Sequence, residues 1–153
     1  MRTEDLQAYC LNLLESARSW RRLADLIARP HGLSESTALP LILIGRQAGW
    51  KQNELADALG IEAASLVRVL DQLCSWGFVR RTADSTDRRI RRLYLTAEGR
   101  IIADRLSSDL DRLRISVFGD LDPADIAASR RVFARIAECT ADGVGPRREG
   151  VPA

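Results

Sequence analysis

Apolar residues recur at helical spacing between Ile61 and Trp76, the segment around which the chain is organised. The spacing predicts a helix with one buried stripe, formed by Leu66, Val67, Leu70 and Leu73. The opposite face is small and polar, with Ala64, Ser65, Arg68, Gln72 and Ser75. The residues near the helix start are small, and a long cationic side chain, Arg68, follows one turn later. This arrangement suits a helix that enters the major groove of duplex DNA. Taken alone, the pattern is more typical of an amphipathic helix packed on a core.

The neighbouring segments place this helix in a larger motif. Upstream, KQNELADALG predicts a short helix ending at Gly60, which can take the positive φ of a tight turn. Two short helices joined by such a turn form a helix-turn-helix. Downstream, Gly77 ends the second helix, and FVRRTA and IRRLYL predict two short strands around ADSTDRR. Together the two strands are expected to form a β-hairpin, the wing of a winged helix-turn-helix.

Helices are also predicted at both ends of the chain. Residues 5–29 repeat apolar positions at steps of four and three, a seam typical of paired helices, with Leu6, Cys10, Leu13, Ala17, Trp20, Ala24 and Ile27. Ser34 is the expected N-cap of a second helix through about Ala48, with a kink or a late start at Pro40.

After the wing, Thr96 is the expected N-cap of a long helix that ends at Gly119. Its stripe consists of Ile102, Leu106, Leu110, Leu113 and Val117. Asp122-Pro123 predicts the start of a last helix, with Ile126, Ser129, Phe133, Ile136 and Ala137 on its buried side. A winged core of roughly 65 residues is too small to bury these stripes, so a second copy of the chain is expected to cover them.

Composition bounds the class of protein. The chain of 153 residues is 46% hydrophobic and 29% charged, which fits one globular domain. The net charge is only +2, yet six arginines stand between Phe78 and Arg92: Arg80, Arg81, Arg88, Arg89, Arg91 and Arg92. Such a local excess of positive charge indicates either a surface that binds phosphate groups or a solvent-exposed face without a binding role. The Gly/Pro/Arg-rich residues 143–153 predict a disordered tail.

No apolar run reaches membrane-spanning length, and the acidic N-terminus does not fit a signal peptide. We therefore expect a cytoplasmic protein with reduced thiols at Cys10, Cys74 and Cys139. His31, the single histidine, is expected to be a solvated turn residue. Three scattered cysteines do not make a zinc site, and no nucleophile–base pattern supports an enzyme, so neither a metal nor a cofactor is expected.

The segment DSTDRRIRRLYLTAEG resembles the wing and strand signature of the MarR family of bacterial transcription regulators. GIEAASLVRVLDQL is similar to the recognition helix of the SlyA-like branch of that family. The resemblance covers about Leu13 to Ala137. It implies a mainly α fold with a small β-hairpin, a winged helix-turn-helix with N- and C-terminal dimerisation helices. Residues 1–142 would form the regulator, with DNA-binding residues 34–96 and dimerisation helices at 5–29 and 97–141.

The resemblance further implies a homodimer on palindromic duplex DNA. Ala64, Ser65 and Arg68 would face the major groove. Arg88 and Arg89 would lie at the wing tip in the minor groove, where Asp87 pairs to shape the wing. Lys51 stands where the family usually has a Thr or Ser cap, so it weakens the helix start and adds a phosphate contact.

An effector site is expected near Arg18 and Trp20, which resemble residues beside the pocket where relatives bind aromatic carboxylates such as salicylate. An arginine beside apolar walls suits a carboxylate on a ring, free or as a conjugate. The alternative is that Trp20 is dimer core and Arg18 a surface charge. The leading hypothesis is a repressor released by such a ligand.

Two rival functions stay open. Cys10 resembles the reactive cysteine of peroxide-sensing relatives, although Leu14 stands where an activating tyrosine is expected and the apolar seam favours an inert thiol. Alternatively, the arginine-rich wing docks on an acidic protein, which makes the chain a protein-interaction module.

Overall fold

The computed structural model describes residues 2–84, 86–87 and 90–141. The helices are α1 (Thr3–Ala28), α2 (Glu35–Arg46), α3 (Gln52–Leu59), α4 (Ala63–Ser75), α5 (Ala97–Phe118) and α6 (Pro123–Ala141). The strands are β1 (Trp50–Lys51), β2 (Val79–Ala83) and β3 (Arg91–Leu95). The predicted class, mainly α with a small sheet, is confirmed. Within the described residues, no helix has both the length and the apolarity to cross a bilayer.

The chain divides into two compact units, residues 1–113 and residues from 114 onward. The first unit contains the predicted DNA-binding segment and most of α5. The second contains the end of α5 and α6. The roles assigned above to residues 34–96 and 97–141 stay predictions, and the tail at 143–153 lies outside the described residues.

The turn between α1 and α2 is fixed by caps from both helices. Gly32 takes a φ of 72°, and α2 starts directly after Ser34, as the sequence predicts. Thr37 Oγ1 accepts the Ser34 N–H at 3.0 Å, while Asp25 Oδ1 of α1 accepts the Glu35 N–H at 3.1 Å. This backbone bond and the Arg29 guanidinium hold the pKa of Asp25 below its usual range. Asp25 therefore ties the two helices together at their junction.

The core of the first unit lies between α2, the helix-turn-helix, the sheet and α5. Its fully buried large side chains are Leu41, Ile44, Leu55, Leu66, Leu70, Leu73, Leu93 and Leu106. Pro40 is buried as well, inside a helix that already begins at Glu35. The late start considered at Pro40 is therefore wrong, since the five residues Glu35–Leu39 are already helical before it.

The sheet has the order β1–β3–β2, with both pairs antiparallel. The hairpin of β2 and β3 is predicted by the sequence, and its register pairs Val79 with Leu95. The third strand is not predicted. It pairs Trp50 with Leu93, and the Trp50 indole Nε1 donates to Leu43 O at 3.0 Å. The base of the wing is thereby attached to α2 and to the start of α3.

The junction between β3 and α5 is tightly packed. Thr96 Oγ1 accepts the Gly99 N–H at 3.0 Å, which confirms its predicted N-cap role, and it donates to Gly77 O at 2.6 Å. A Cβ added to Gly99 would lie 1.9 Å from Phe78 O. Only glycine therefore allows the first turn of α5 to approach the backbone of Phe78, the residue before β2.

Apolar faces are left exposed in each unit. In the first unit, Ala24 and Ile27 of the α1 seam pack on the core, whereas Leu6, Cys10 and Ala17 are exposed. In the second unit, Asp122 Oδ1 accepts the Ala124 N–H at 2.8 Å, so the predicted start of α6 is confirmed. No residue between Pro123 and Thr140 is fully buried. The predicted buried side of α6 is exposed within a single chain, with Ile126, Ser129, Phe133, Ile136 and Ala137 all open.

Candidate nucleic-acid interface

The helix-turn-helix consists of α3, a tight turn and α4, as predicted. Gly60 has a φ of 64° at the end of α3, which matches the left-handed conformation expected of it. Leu55 and Ala56 anchor α3 in the core. The turn then places the start of α4 at Ala63, two residues later than the apolar pattern suggests.

The roll of α4 is set by its buried side. Leu66, Leu70 and Leu73 are fully buried, and Val69 packs against the same core. Val67 was predicted to belong to this stripe, but it is 37% exposed, so that assignment is wrong. Successive residues are about 100° apart around a helix. Viewed down the axis, Val67 therefore lies on one side of Leu66 and Val69 on the other, and the core lies on the side of Val69. Val69 takes the core position instead.

The outward face of α4 has the composition that the sequence predicts. Its exposed residues are Ala64, Ser65, Arg68, Gln72 and Ser75. Ala64 and Ser65 leave the first turn without bulk, and Arg68 extends one turn later. Their contacts with base edges stay a prediction.

Lys51 stands directly before α3, and its own side chain provides no cap for the helix. Glu54, three residues on, accepts the Lys51 N–H at 3.1 Å and pairs with its Nζ at 3.3 Å. These contacts hold the pKa of Glu54 below its usual range, the backbone bond contributing most. The helix start is thus supported by Glu54, and the predicted phosphate contact of Lys51 stays a prediction.

The wing is organised by Asp84, a residue that sequence reasoning missed. The residue is 6% exposed, and its carboxylate accepts the Thr86 hydroxyl at 2.6 Å and the Thr86 N–H at 2.8 Å. Arg92 Nε also donates to it, and Arg92 Nη1 donates to Gly49 O at 2.8 Å. Thr86, followed by Arg92, holds the pKa of Asp84 well below its usual range. An aspartate two residues before a threonine is a common turn pattern and could have indicated this role.

Asp87 contributes to the same turn through its backbone. Its N–H donates to Asp84 Oδ1 at 3.3 Å, and its carbonyl accepts the Ile90 N–H at 3.0 Å. The predicted pairing of the Asp87 side chain stays a prediction. Arg88 and Arg89 lie outside the described residues, so their place at the minor groove also stays a prediction.

Several wing arginines are engaged within the protein. Arg92 binds Asp84, and Arg81 Nη1 lies 2.6 Å from Asp71 Oδ1 of α4. Arg80 lies over the Tyr94 ring, 4.8 Å from its centroid. The six arginines therefore do not form one uniform phosphate footprint, because at least three of them stabilise the wing or attach it to α4.

The predicted effector residues lie on α1, where Arg18 is exposed and Trp20 is half-buried. Neither lines the cleft of about 420 Å³ that lies further along α1, formed by Arg21, Arg22, Asp25, Leu26, Arg29 and Glu35. Cys10 is exposed within a single chain, where it borders an apolar cleft of about 510 Å³ with Leu6, Leu11 and Leu14. The roles of all three residues stay predictions.

His31 differs from its expected role as a solvated turn residue. Its side chain is 14% exposed, and Nε2 lies 2.8 Å from Asp109 Oδ2 of α5. Arg112 and then His31 hold the pKa of Asp109 below its usual range. His31 thus attaches the α1–α2 turn to α5. In the part of the chain that the structure describes, His, Cys, Asp and Glu form no group of three suited to a metal ion.

These elements define a winged helix-turn-helix, with α4 in the position of a recognition helix and the β2–β3 hairpin as the wing. The MarR family model matches residues 33–90, so this part of the chain is similar to that family. Solved structures that share this fold include transcriptional regulators. The narrower assignment to the SlyA-like branch stays a prediction.

Solved structures of the family superpose on most of the chain. The S. aureus MepR–DNA complex matches with a TM-score of 0.79 and 16% identity, over 86% of this chain and 97% of that one. Staphylococcus aureus MarR, in complex with salicylate and kanamycin, gives 0.78 and 18%, over 92% and 95%. CouR from Rhodococcus jostii RHA1, bound to p-coumaroyl-CoA, gives 0.74 and 27%, over 82% and 89%.

Replacing Asp84 with Asn should lower the free energy of unfolding at neutral pH, because Arg92 loses its charged partner. The pKa of Asp84 is depressed on folding, so its stabilising effect is present above roughly 3.9, its unfolded value, and is lost as the pH falls further. Urea unfolding of both proteins from pH 7 to pH 3 should show their difference shrinking below about pH 4. Asp57→Asn, an exposed control on α3, should behave like the wild type. A difference that stays constant down to pH 3 would contradict this role.

Proposed function

We propose that the protein is a homodimeric, sequence-specific regulator of transcription that represses by binding a palindromic operator. A small aromatic carboxylate, or a conjugate of one, lowers its affinity for DNA. The observation that carries this proposal is the outward face of α4, small at its start and cationic one turn later, in a winged helix that is similar to the MarR family. We place the repressor in the cytoplasm, where its DNA is.

Direct reading of bases by α4 is supported by shape and charge. Ala64 and Ser65 allow close approach to the groove floor, and an arginine can bind guanine O6 and N7 with two hydrogen bonds. Asp71, the acidic residue next along this side of α4, is balanced by Arg81 at 2.6 Å. That pair reduces repulsion between α4 and the phosphates. MepR, a protein of the same fold, is known in complex with DNA.

Arg68→Ala should weaken binding to the cognate duplex by about 1 to 3 kcal/mol and remove the preference at one base pair. Arg105→Ala, which removes an equal charge from an exposed position on α5, is the matched control and should leave the preference intact. Arg89→Ala should weaken binding evenly across sequences and flatten the salt dependence. The measurement is fluorescence anisotropy with cognate and single-substituted duplexes at several salt concentrations.

Unchanged affinity and preference in Arg68→Ala would overturn the role of Arg68. Binding to duplexes that does not respond to salt would favour the rival function, an interaction with an acidic protein.

The homodimer is supported by apolar side chains that a single chain leaves open. Leu6, Leu11 and Leu14 are exposed on α1, and Ile115 at the end of α5 is 70% exposed. On α6, Phe133 is 53% exposed. Exposed apolar surface of this extent is typical of faces that bind another chain. Two-fold pairing would set two copies of α4 about one helical turn, roughly 10 base pairs, apart on a palindrome.

Phe133→Glu should shift the protein from dimer to monomer at micromolar concentration, because a carboxylate would be buried without a partner. Arg131→Glu introduces the same residue at an exposed neighbouring position and should remain dimeric. Sedimentation velocity over a concentration series checks both variants. A wild-type protein that sediments as a stable monomer would contradict the dimer.

The effector class is supported by two relatives and by two residues on α1. Salicylate is bound by Staphylococcus aureus MarR, and p-coumaroyl-CoA by CouR; both are aromatic acids or conjugates. Arg18 is exposed and can pair with a carboxylate, while the ring of Trp20 offers an apolar wall. A ligand there can release DNA only through unequal affinity for two arrangements of the dimer.

Titration of the protein–operator complex with salicylate, p-coumarate and p-coumaroyl-CoA should release DNA with at least one of them. Arg18→Ala should raise the concentration needed about tenfold or more, the loss expected for one charge-assisted contact. Arg21→Ala, an exposed arginine on the same helix, is the control. If none releases DNA and peroxide does so only while Cys10 is present, the redox alternative replaces the ligand hypothesis.

A further inference from the structure

Val67 is an exposed apolar side chain on the helix proposed to enter the major groove. It is 37% exposed, although it follows the fully buried Leu66 directly. It is the fifth residue of α4, within the N-terminal half that contacts base edges in helix-turn-helix proteins. Val67 is therefore exposed on the part of α4 where contact with DNA is expected.

The side chains one turn away on α4 are either short or held by another residue, and Val67 stays partly open to solvent. One turn earlier on the helix are Ala63 and Ala64, which are exposed and short. One turn later is Asp71, which Arg81 holds at 2.6 Å. Val67 is thus the bulkiest apolar side chain exposed on the first two turns of α4. Val67 belongs neither to the hydrophobic core nor to the partly buried side chains packed against it.

The major groove presents one methyl group, the C5-methyl of thymine, among hydrogen-bond donors and acceptors. A valine can gain free energy at a base edge by removing that methyl group and its own from water. We infer that Val67 contacts a thymine methyl and so selects a T·A pair in each half-site of the operator. This inference rests on the proposed function, since it requires α4 to enter the groove.

The test begins with a preferred duplex, selected from random sequences with the full-length protein. Each thymine is then replaced by deoxyuridine, which keeps base pairing and lacks only the methyl group. For the wild type, replacing one particular thymine in a single half-site should weaken binding about fourfold, the effect of burying one methyl group. Val67→Ala should bind the parent duplex more weakly and should not respond to that replacement, while its response elsewhere is unchanged.

Two controls separate this contact from a general loss of binding. Leu39→Ala, an exposed apolar residue on α2, should keep the complete wild-type response to deoxyuridine. Val67→Ile, which retains the methyl groups, should keep it too. Urea unfolding should show little change for Val67→Ala, because the side chain is not part of the core.

The outcomes separate the inference from the proposed function. A wild-type protein that prefers particular duplexes but does not respond to any deoxyuridine overturns only the role of Val67. The same follows if Val67→Ala keeps the wild-type response at every thymine. If no duplex is selected at all, the proposed DNA-binding function itself fails.

Discussion

The complete burial of three leucines on one side of α4 determines what the protein presents to its surroundings. Leu66, Leu70 and Leu73 each lie out of solvent. Burying such a side chain contributes roughly 1.5 to 3 kcal/mol, so rolling the helix by one residue would cost several kcal/mol. The orientation of Arg68 and Val67 therefore follows from the core. The outward face of α4 is thus oriented by residues on its buried side.

Features encoded over a few neighbouring residues were predictable from the sequence. Ser34, Thr96 and Asp122 precede helices as predicted, and Gly60 takes the left-handed turn. Each depends on contacts within one or two turns of chain. The wing hairpin was also predictable, because alternating strands flank a polar turn. The exposed composition of the outward face of α4 was predictable too, since that face is the complement of its apolar stripe.

Features that depend on distant partners could not be predicted. His31 and Asp109 are 78 positions apart, and a lone histidine gives no indication of its carboxylate. β1 has only two residues, too few to show a periodicity, and exists because β3 is available to pair with it. Val67 was misassigned because the edge of an apolar stripe is ambiguous by about one position in a helix of 3.6 residues per turn. Which arginines would pair internally depended on where the wing folds against α4.

The close approach of Gly99 to Phe78 couples the position of α5 to that of the wing. Thr96 Oγ1 donates to Gly77 O, Gly99 lies against the backbone of Phe78, and Arg100 Nη1 donates to Gly45 O at 2.6 Å. These contacts join the first turn of α5 directly to the base of the wing and to the end of α2. A rotation of the start of α5 would therefore displace the β2–β3 hairpin together with it.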